Sequence, residues 1–261
     1  MARQVSAEVA RGGSDAVREA RARLLLAVAA LLVLSGLVHL VVFAVDDRPW
    51  AGPVSWRKPA TFGLSFGVTL ASVVWVTSYL RLRERTRTWL LGVFAADCVV
   101  EVAGVSLQAW RGVPSHLNRS TPTDAAVATV LALGGAVLIG VLGTFAVLAV
   151  RGRTDAAPSM RLALRAGFAL LVAGLLAGAA MIAVGTVAMR TGSEAHAYAV
   201  TGFLKEFHGV TLHAVLVLPA LAWLLARTSW PERRRLVVVR AGVAAYVAAA
   251  LAALVLDLAT A

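Results

Sequence analysis

Two carboxyl side chains lie within an apolar stretch that is long enough to cross a membrane. Asp97 and Glu101 are one helical turn apart inside residues 89–110. With Gly104 and Gln108 they occupy an arc of roughly 40° on a helix that turns by about 100° per residue. Ionisable groups are costly in hydrocarbon, face the interior of a helix bundle and mark candidate functional sites. We therefore expect this polar stripe to face the bundle, with Glu101 near mid-membrane.

The carboxyl pair allows two interpretations. Asp97 and Glu101 are either protonated or hydrogen-bonded core residues that fix the helix register, or residues that bind a ligand or handle a proton. Two carboxylates one turn apart repel each other when both are ionised. We therefore predict that Glu101 is buried and at least partly protonated near neutral pH.

Two histidines form a second candidate pair, on different helices. His39 and His213 each lie six residues from the outer end of an apolar stretch, hence about 9 Å deep at the helical rise of about 1.5 Å per residue. Histidines at matching depth could coordinate a haem iron or another metal, or hydrogen-bond within a polar pocket. Haem is not favoured, because only Arg57 and Lys58 could hold its propionates and the carboxyl stripe makes the interior acidic.

His208 and His213 look like a metal motif, but their spacing does not fit one. Five residues on a helix leave the two rings roughly 140° apart, whereas a zinc shared on one helix needs a spacing of four. A metal-dependent hydrolase that uses His208, His213, His116 and an acid is therefore the weakest alternative. The sequence predicts no metal site.

Several other classes are excluded by missing motifs. The chain has no phosphate-binding Gly-x-x-x-x-Gly-Lys-Ser/Thr loop and no Gly-x-Ser-x-Gly serine. Its two lysines, Lys58 and Lys205, leave the last apolar stretch without the Schiff-base lysine of a retinal pigment. A single cysteine, Cys98, excludes an intrachain disulfide and a cysteine-based metal site.

The elements that must position these residues are membrane spans. Of the 261 residues, 59% are hydrophobic and 15% charged, against about 45–50% and about 25% in soluble domains. A bilayer core is crossed by about 20 helical residues. We predict an all-α bundle of seven transmembrane helices, in a membrane domain over 24–261 that follows an arginine-rich tail over 1–23. The predicted spans are 24–45, 59–80, 89–110, 125–150, 166–189, 207–226 and 241–261.

Charge gives the orientation of the chain. The tail and alternate loops hold 18 of the 25 basic residues, and the other loops hold seven. Because Lys and Arg accumulate on the cytoplasmic side, we predict a cytoplasmic N-terminus and an outer C-terminus in a bacterial inner or plasma membrane. Trp50, Trp56 and Trp110 then lie at the outer interface. The net charge of +11 is explained by this topology and by anionic lipids at the cytoplasmic face, not by nucleic acid.

The fifth span carries a face of small residues. Gly167, Gly174, Gly178 and Gly185 follow each other at spacings of seven, four and seven residues. Such a face lets helix backbones approach closely, and we interpret it as a packing seam rather than a ligand site.

The outer loops hold the varied polar residues, and any site is expected to open there. Arg57, Lys58 and Arg111 could bind an anionic headgroup or ligand, or could simply extend to the interface. Residues 111–122 contain two prolines and several short polar side chains, so we predict an ordered cap packed on the helix ends.

Three blocks in these regions resemble those of a group of bacterial polytopic membrane proteins without an assigned activity. They are Ser55-Trp56-Arg57-Lys58-Pro59-x-x-Phe62-Gly63, Arg111-Gly112-x-x-Ser115-His116-x-Asn118-x-x-Thr121-Pro122 and His208-x4-His213-x5-Pro219. The resemblance implies a seven-helix fold. It favours as site residues, without roles, Arg57, Lys58, Arg111, His116, Asn118, His208 and His213.

The leading interpretation is a non-enzymatic membrane protein that binds a small molecule, lipid or ion in an outward-facing polar pocket. The candidate ligand-binding residues are His39, Arg57, Lys58, Asp97, Glu101, Gln108, Arg111, His116, Asn118, His208 and His213. The alternatives are a redox protein with b-type haem or a quinone site at His39 and His213, and the metal-dependent hydrolase.

The orientation is directly testable. A reporter that is active only outside the cytoplasm, fused after Ala261, should be active, and the same reporter fused before the first span should be inactive. Cytoplasmic activity of a fusion after Ala261 would contradict the count of basic residues on which the orientation rests.

Overall fold

A computed structural model gives the structure of the protein and describes residues 2–152, 154–192 and 194–260, with side chains described for 16–152, 154–192 and 196–260. Every regular element in these ranges is helical. The α-helices are α1 (Ala2–Val45), α2 (Arg57–Val76), α3 (Glu84–Trp110), α4 (Pro122–Arg151), α5 (Pro158–Thr191), α6 (Glu194–Val200), α7 (Lys205–Leu212), α8 (Ala214–Ala226) and α9 (Glu232–Thr260). A 3-10 turn over Thr77–Tyr79 extends α2.

Seven helical segments of the described residues are long and apolar enough to cross a membrane, which confirms the predicted all-α fold. They are Ala16–Val45, Arg57–Tyr79, Glu84–Trp110, Pro122–Arg151, Pro158–Thr191, Lys205–Ala226 and Glu232–Thr260. Helices satisfy their own backbone hydrogen bonds, which hydrocarbon requires. The sixth span consists of α7 and α8, which meet at His213. The predicted tail is the first part of α1.

Alternate loops gather at two opposite ends of the bundle. At one end, which we call the arginine-rich end, Arg81 of the α2–α3 loop forms an ion pair with Asp155 of the α4–α5 loop. The Glu232 carboxylate at the start of α9 accepts a hydrogen bond from the Ser159 backbone N–H at the start of α5, at 2.7 Å. The assignment of this end to the cytoplasm stays a prediction from the charge count.

The opposite end, which we call the cap end, carries residues 46–56, 111–121 and 194–204. Arg48 of the first segment donates a hydrogen bond to the Ala109 carbonyl at the end of α3, at 2.8 Å. Tyr198 of α6 donates to the His116 carbonyl at 3.0 Å. The loops of this end are thus tied to the helices and to one another.

Glycines set the distance between α1 and α2. A Cβ atom on Gly63 would lie 2.5 Å from the backbone nitrogen of Gly36 and 2.8 Å from the Leu32 carbonyl oxygen. A Cβ on Gly36 would lie 2.6 Å from the Leu64 nitrogen. The two backbones are therefore in direct contact, as small residues permit in membrane helices.

The glycine face of α5 is a packing seam, as predicted. A Cβ on Gly167 would lie 3.0 Å from the Ala214 carbonyl oxygen, and one on Gly174 would lie 2.5 Å from Oγ1 of Thr211. At Gly178 the space is filled by the His208 ring, whose Cε1 would lie 2.9 Å from an added Cβ. α7 and the start of α8 pack against this seam.

The contact between α1 and α2 can be tested with a matched pair of substitutions. Gly→Ala in a helix normally stabilises by about 0.5–1 kcal/mol, and Gly140 has open space where the Cβ would be. Gly140→Ala should therefore leave the melting temperature in detergent unchanged or raised. Gly63→Ala should lower it, because inserting a methyl group into a packed contact costs about 1–3 kcal/mol. Equal melting temperatures for the two variants would contradict the close approach.

Candidate functional site

The two carboxyls of α3 are buried against α4 at a glycine. Asp97 is 8% exposed and Glu101 is 3% exposed. A Cβ on Gly134 would lie 2.5 Å from Oε1 of Glu101 and 2.9 Å from Oδ1 of Asp97. Both side chains therefore occupy the space that Gly134 leaves open, and the predicted orientation of the stripe toward the bundle is confirmed.

These carboxyls lack the hydrogen bonds that burial normally demands. Oδ2 of Asp97 is buried and has no hydrogen-bond partner among the described residues. Glu101 likewise accepts no hydrogen bond in that part of the chain. A buried polar group without a partner costs about 1–3 kcal/mol, and more if it is charged. The pair is thus a place where a bound proton would be stabilised.

Lys58 connects the carboxyl pair with the cap end. Its ammonium interacts electrostatically with Glu101, and its Nζ lies 3.0 Å from Nδ1 of His116. With Lys58 charged and both carboxyls ionised, the group carries one net negative charge. A single proton shared by Asp97 and Glu101 makes it neutral.

His116 anchors the cap over Lys58. Its Nδ1 lies 3.0 Å from both the Lys58 ammonium and the Ser115 hydroxyl. Because an ammonium can only donate, Nδ1 accepts, and the ring is neutral with its proton on Nε2. Burial and the neighbouring Lys58 charge hold the pKa of His116 well below its usual value. Together with the Tyr198 hydrogen bond, these contacts confirm that residues 111–122 form a cap packed on the helix ends.

A buried polar network holds the end of α3 to the start of α4. Asp124 is 2% exposed, and its Oδ1 accepts hydrogen bonds from Arg111 at 2.6 Å and from Gln108 at 3.0 Å. Oδ2 accepts from the Thr121 hydroxyl at 2.7 Å, and that hydroxyl oxygen accepts from the Asp124 backbone N–H. Arg111 and Gln108, two candidate ligand-binding residues, thus both bind Asp124, although Gln108 is buried and Arg111 is exposed.

Asp124 was not among the residues singled out from the sequence. The sequence pattern that indicates it is Thr121-Pro122-Thr123-Asp124, which is typical of a helix start. In such a pattern, the hydroxyl of the first residue caps the backbone, and an acidic side chain three residues later reaches back to that first residue. The pattern predicts a cap but does not predict that Arg111 reaches the same carboxylate.

His39 belongs to an aromatic cluster at the cap end. Its Nδ1 lies 2.7 Å from the Ser35 carbonyl oxygen, and Trp110 Nε1–H donates to its Nε2 at 3.2 Å. Both ring nitrogens therefore have hydrogen-bond partners, and the nitrogen lone pair that an axial haem ligand would use is already accepting from Trp110. The ring centroids of His39 and Trp56 are 5.8 Å apart.

Trp56 corrects one expectation from the sequence. It lies at the cap end, but it is fully buried. It therefore does not face lipid, as a tryptophan of an interfacial aromatic belt does. The Arg48 guanidinium carbon is 3.9 Å from its ring centroid. The reason is that the loop before α2 folds inward between α1 and α3, where His39 and Trp110 cover the ring.

His208 and His213 form hydrogen bonds with helices other than those that hold His39. Nδ1 of His208 is 2.7 Å from the Gly174 carbonyl oxygen, and Nδ1 of His213 is 2.7 Å from the Gly209 carbonyl oxygen. These histidines interact with each other, whereas the hydrogen bonds of His39 lead to α1 and α3. Within the described residues, no three His, Cys, Asp or Glu side chains come together in a way that could hold a metal.

Asp257, another residue that the sequence did not single out, positions this region. It is 5% exposed, and its carboxylate accepts the backbone N–H groups of Glu206 and Phe207 at 3.1 and 2.8 Å. It therefore caps the start of α7 from α9. In the sequence, the indication of a role for Asp257 is that it is the one acidic residue of the last apolar stretch.

The two remaining candidates lie in or beside the cap. Oδ1 of Asn118 accepts hydrogen bonds from the backbone N–H and the hydroxyl of Ser120, at 3.0 and 2.8 Å, so Asn118 stabilises a turn. The neighbouring Leu117 has a φ of 67° and packs toward Gly185. Arg57 is half-buried next to Lys58 and has no carboxylate within ion-pair distance among the described residues.

Comparisons of the chain with protein-family models, with curated proteins and with solved structures found no match. The chemistry of the site therefore rests on its own geometry. That geometry combines a buried carboxyl pair, a lysine beside it and a neutral histidine in the cap above the lysine.

The neutral state of His116 predicts a pH-dependent stability. An unfolded histidine binds a proton below about pH 6.5, whereas folded His116 does not. The neutral state of folded His116 therefore costs no stability above that pH, and the free energy of unfolding decreases as the pH falls below it. The loss is at most about 1.4 kcal/mol per pH unit for one group. In detergent, the melting temperature should fall less steeply from pH 7 to pH 5 in His116→Gln than in the unsubstituted protein. Parallel curves would show that His116 is not held neutral.

Proposed function

We propose that this protein is a non-enzymatic integral membrane protein that binds an ion in a polar site open to the outer side of a bacterial cell membrane, and that the ion is a proton held by Asp97 and Glu101. The observation that carries the proposal is the buried, unpartnered Oδ2 of Asp97 next to the buried Glu101. We also propose that the chain belongs to the group of bacterial polytopic membrane proteins whose three polar sequence blocks it resembles.

The tight packing around the pair favours a proton over a larger ligand. Gly134 stands so close that even a Cβ atom would lie 2.5 Å from Oε1 of Glu101. Burial and mutual repulsion disfavour two neighbouring carboxylates, and the charge of Lys58 offsets one of them. One proton therefore balances the charge of the group.

The distribution of polar residues along α3 favours access from the cap end. From the carboxyl pair toward that end, the same face carries Gln108 and Arg111, and Lys58 and His116 lie beside it. Toward the arginine-rich end, the buried residues of α3 and α4 are apolar. They include Leu91 and Phe94 of α3 and Leu138, Leu142 and Phe145 of α4. An apolar barrier of this kind separates the pair from the arginine-rich side.

Infrared spectroscopy tests the proposal through the carboxyl groups themselves. At pH 7, the purified protein should have an absorption band of a protonated carboxyl group. Glu101→Gln or Asp97→Asn should remove or shift that band, because each substitution leaves only one carboxyl in the pair. Glu206→Gln serves as the matched control, since Glu206 is an exposed glutamate near the cap end, and it should leave the band unchanged.

The contrary outcome is equally definite. The proposal would be contradicted if the band were absent at pH 7. It would also be contradicted if the band persisted unchanged in both Glu101→Gln and Asp97→Asn, because the pair would then hold no proton. Melting temperatures near that of the unsubstituted protein would show that the variants are folded.

A further inference from the structure

A lipid-facing groove runs between α1, α2 and α8, and neither carboxyl of the pair lines it. It has a volume of about 560 Å³ and is lined almost entirely by apolar side chains. On α1 it extends from Leu26 to Leu37. That length is about 16 Å at the helical rise, about half of a hydrocarbon core about 30 Å thick. The groove thus has the depth of one lipid leaflet.

The groove lies in the lipid leaflet next to the arginine-rich end. Leu26 follows closely after Arg23 on α1, and Trp75, which closes the groove on α2, precedes Arg81. Leu216 of α8 also lines the groove. The groove therefore opens into the half of the membrane next to the arginine-rich end.

Aromatic rings connect the groove with a cation at headgroup level. The ring centroids of Trp75 and Trp223 are 6.1 Å apart, and the Arg227 guanidinium carbon lies 3.1 Å from the Trp223 centroid. Leu216, Trp223 and Arg227 are spaced by seven and four residues, so they form one stripe along the helix. The stripe leads from the groove to the Arg227 guanidinium.

The charge of Arg227 is not compensated within the described residues. Arg227 is exposed and has no carboxylate within ion-pair distance in the described ranges. Two acidic residues of the arginine-rich end have other partners, since Asp155 pairs with Arg81 and Glu232 accepts from the Ser159 backbone. A phosphate oxygen forms strong, charge-assisted hydrogen bonds with a guanidinium, and lipid phosphates lie at the membrane surface.

We propose that this groove is a binding site for one phospholipid with a net negative headgroup. An acyl chain lies in the groove between α1, α2 and α8, and the headgroup phosphate binds Arg227. The site is separate from the carboxyl pair, so it stands or falls independently of the proposed proton binding.

The chain offers variants for each half of the site. Arg227→Gln removes the headgroup cation, and Ala30→Phe fills the groove from an exposed position that lines it. Arg234→Gln is the matched control, because the Arg234 guanidinium carbon also lies over a tryptophan, 3.9 Å from the Trp230 centroid. Among the described residues, Trp230 has no ring contact with the groove-lining Trp75, whereas Trp223 does.

Native mass spectrometry of the full-length protein in detergent measures binding of added lipid. Phosphatidylglycerol should bind more tightly than phosphatidylcholine with the same acyl chains. Arg227→Gln should weaken the binding of phosphatidylglycerol by about fivefold, the effect of one basic residue near an anionic headgroup. It should weaken phosphatidylcholine binding less, because the choline ammonium of that lipid offsets the charge of its phosphate. Ala30→Phe should weaken the binding of both lipids, and Arg234→Gln should change neither.

Two results would overturn the proposal. Equal losses in Arg227→Gln and Arg234→Gln would mean that anionic lipid is attracted by the whole arginine-rich end rather than by this site. Unchanged binding in Ala30→Phe would mean that no acyl chain occupies the groove. Because Ala30 and Arg227 are exposed, neither substitution disturbs the core, and melting temperatures check this.

Discussion

Hydrocarbon offers no hydrogen-bond partners, so each polar group of a membrane-embedded chain must find one within the protein. Helical backbones meet this demand by themselves. Hydroxyl groups in the spans meet it by donating to carbonyls of their own helix, as Ser72 does to Val68 at 2.6 Å and Thr186 to Ile182 at 2.7 Å. Among the buried side-chain atoms that stay without a partner in the described residues, that of Asp97 is the one carboxyl oxygen. At the candidate site, a carboxyl group therefore does not meet this general constraint.

Glycines determine which polar groups can be brought together. Gly134 has no side chain, and the space it leaves is filled by the two carboxyls of α3. Gly178 leaves the space for the His208 ring in the same way. At Gly36 and Gly63, by contrast, the missing side chains bring two backbones into contact. These four glycines thus either bring two helix backbones together or make room for polar side chains.

The sequence predicts the spans and the faces of single helices well. Length and apolar composition determine the number of spans, and the periodicity of Asp97, Glu101 and Gln108 determines that one face of α3 is buried. The sequence does not predict which helix meets that face, because this depends on close approaches between residues far apart in the chain. The equal depths of His39 and His213 are an example, since depth gives a height along the bundle but not a position around it.

Several charged residues near the cap end have internal partners for the same reason. Arg111 was an interfacial candidate from its position alone, but the capped start of α4 brings Asp124 within 2.6 Å of it. Lys58 was also an interfacial candidate, but it contacts His116 and interacts with Glu101. The proposed function therefore uses the groups that extend from His116 in the cap through Lys58 to the carboxyl pair.

The central claim is that this pair exchanges its proton with the cap end only. The most direct measurement uses the protein reconstituted in one orientation in vesicles, with the pH changed on one side at a time while the infrared carboxyl band is followed. The account predicts that the band responds to the pH on the cap side and not to the pH on the arginine-rich side. A band that follows the pH of the arginine-rich side, or responds to neither side, would contradict it.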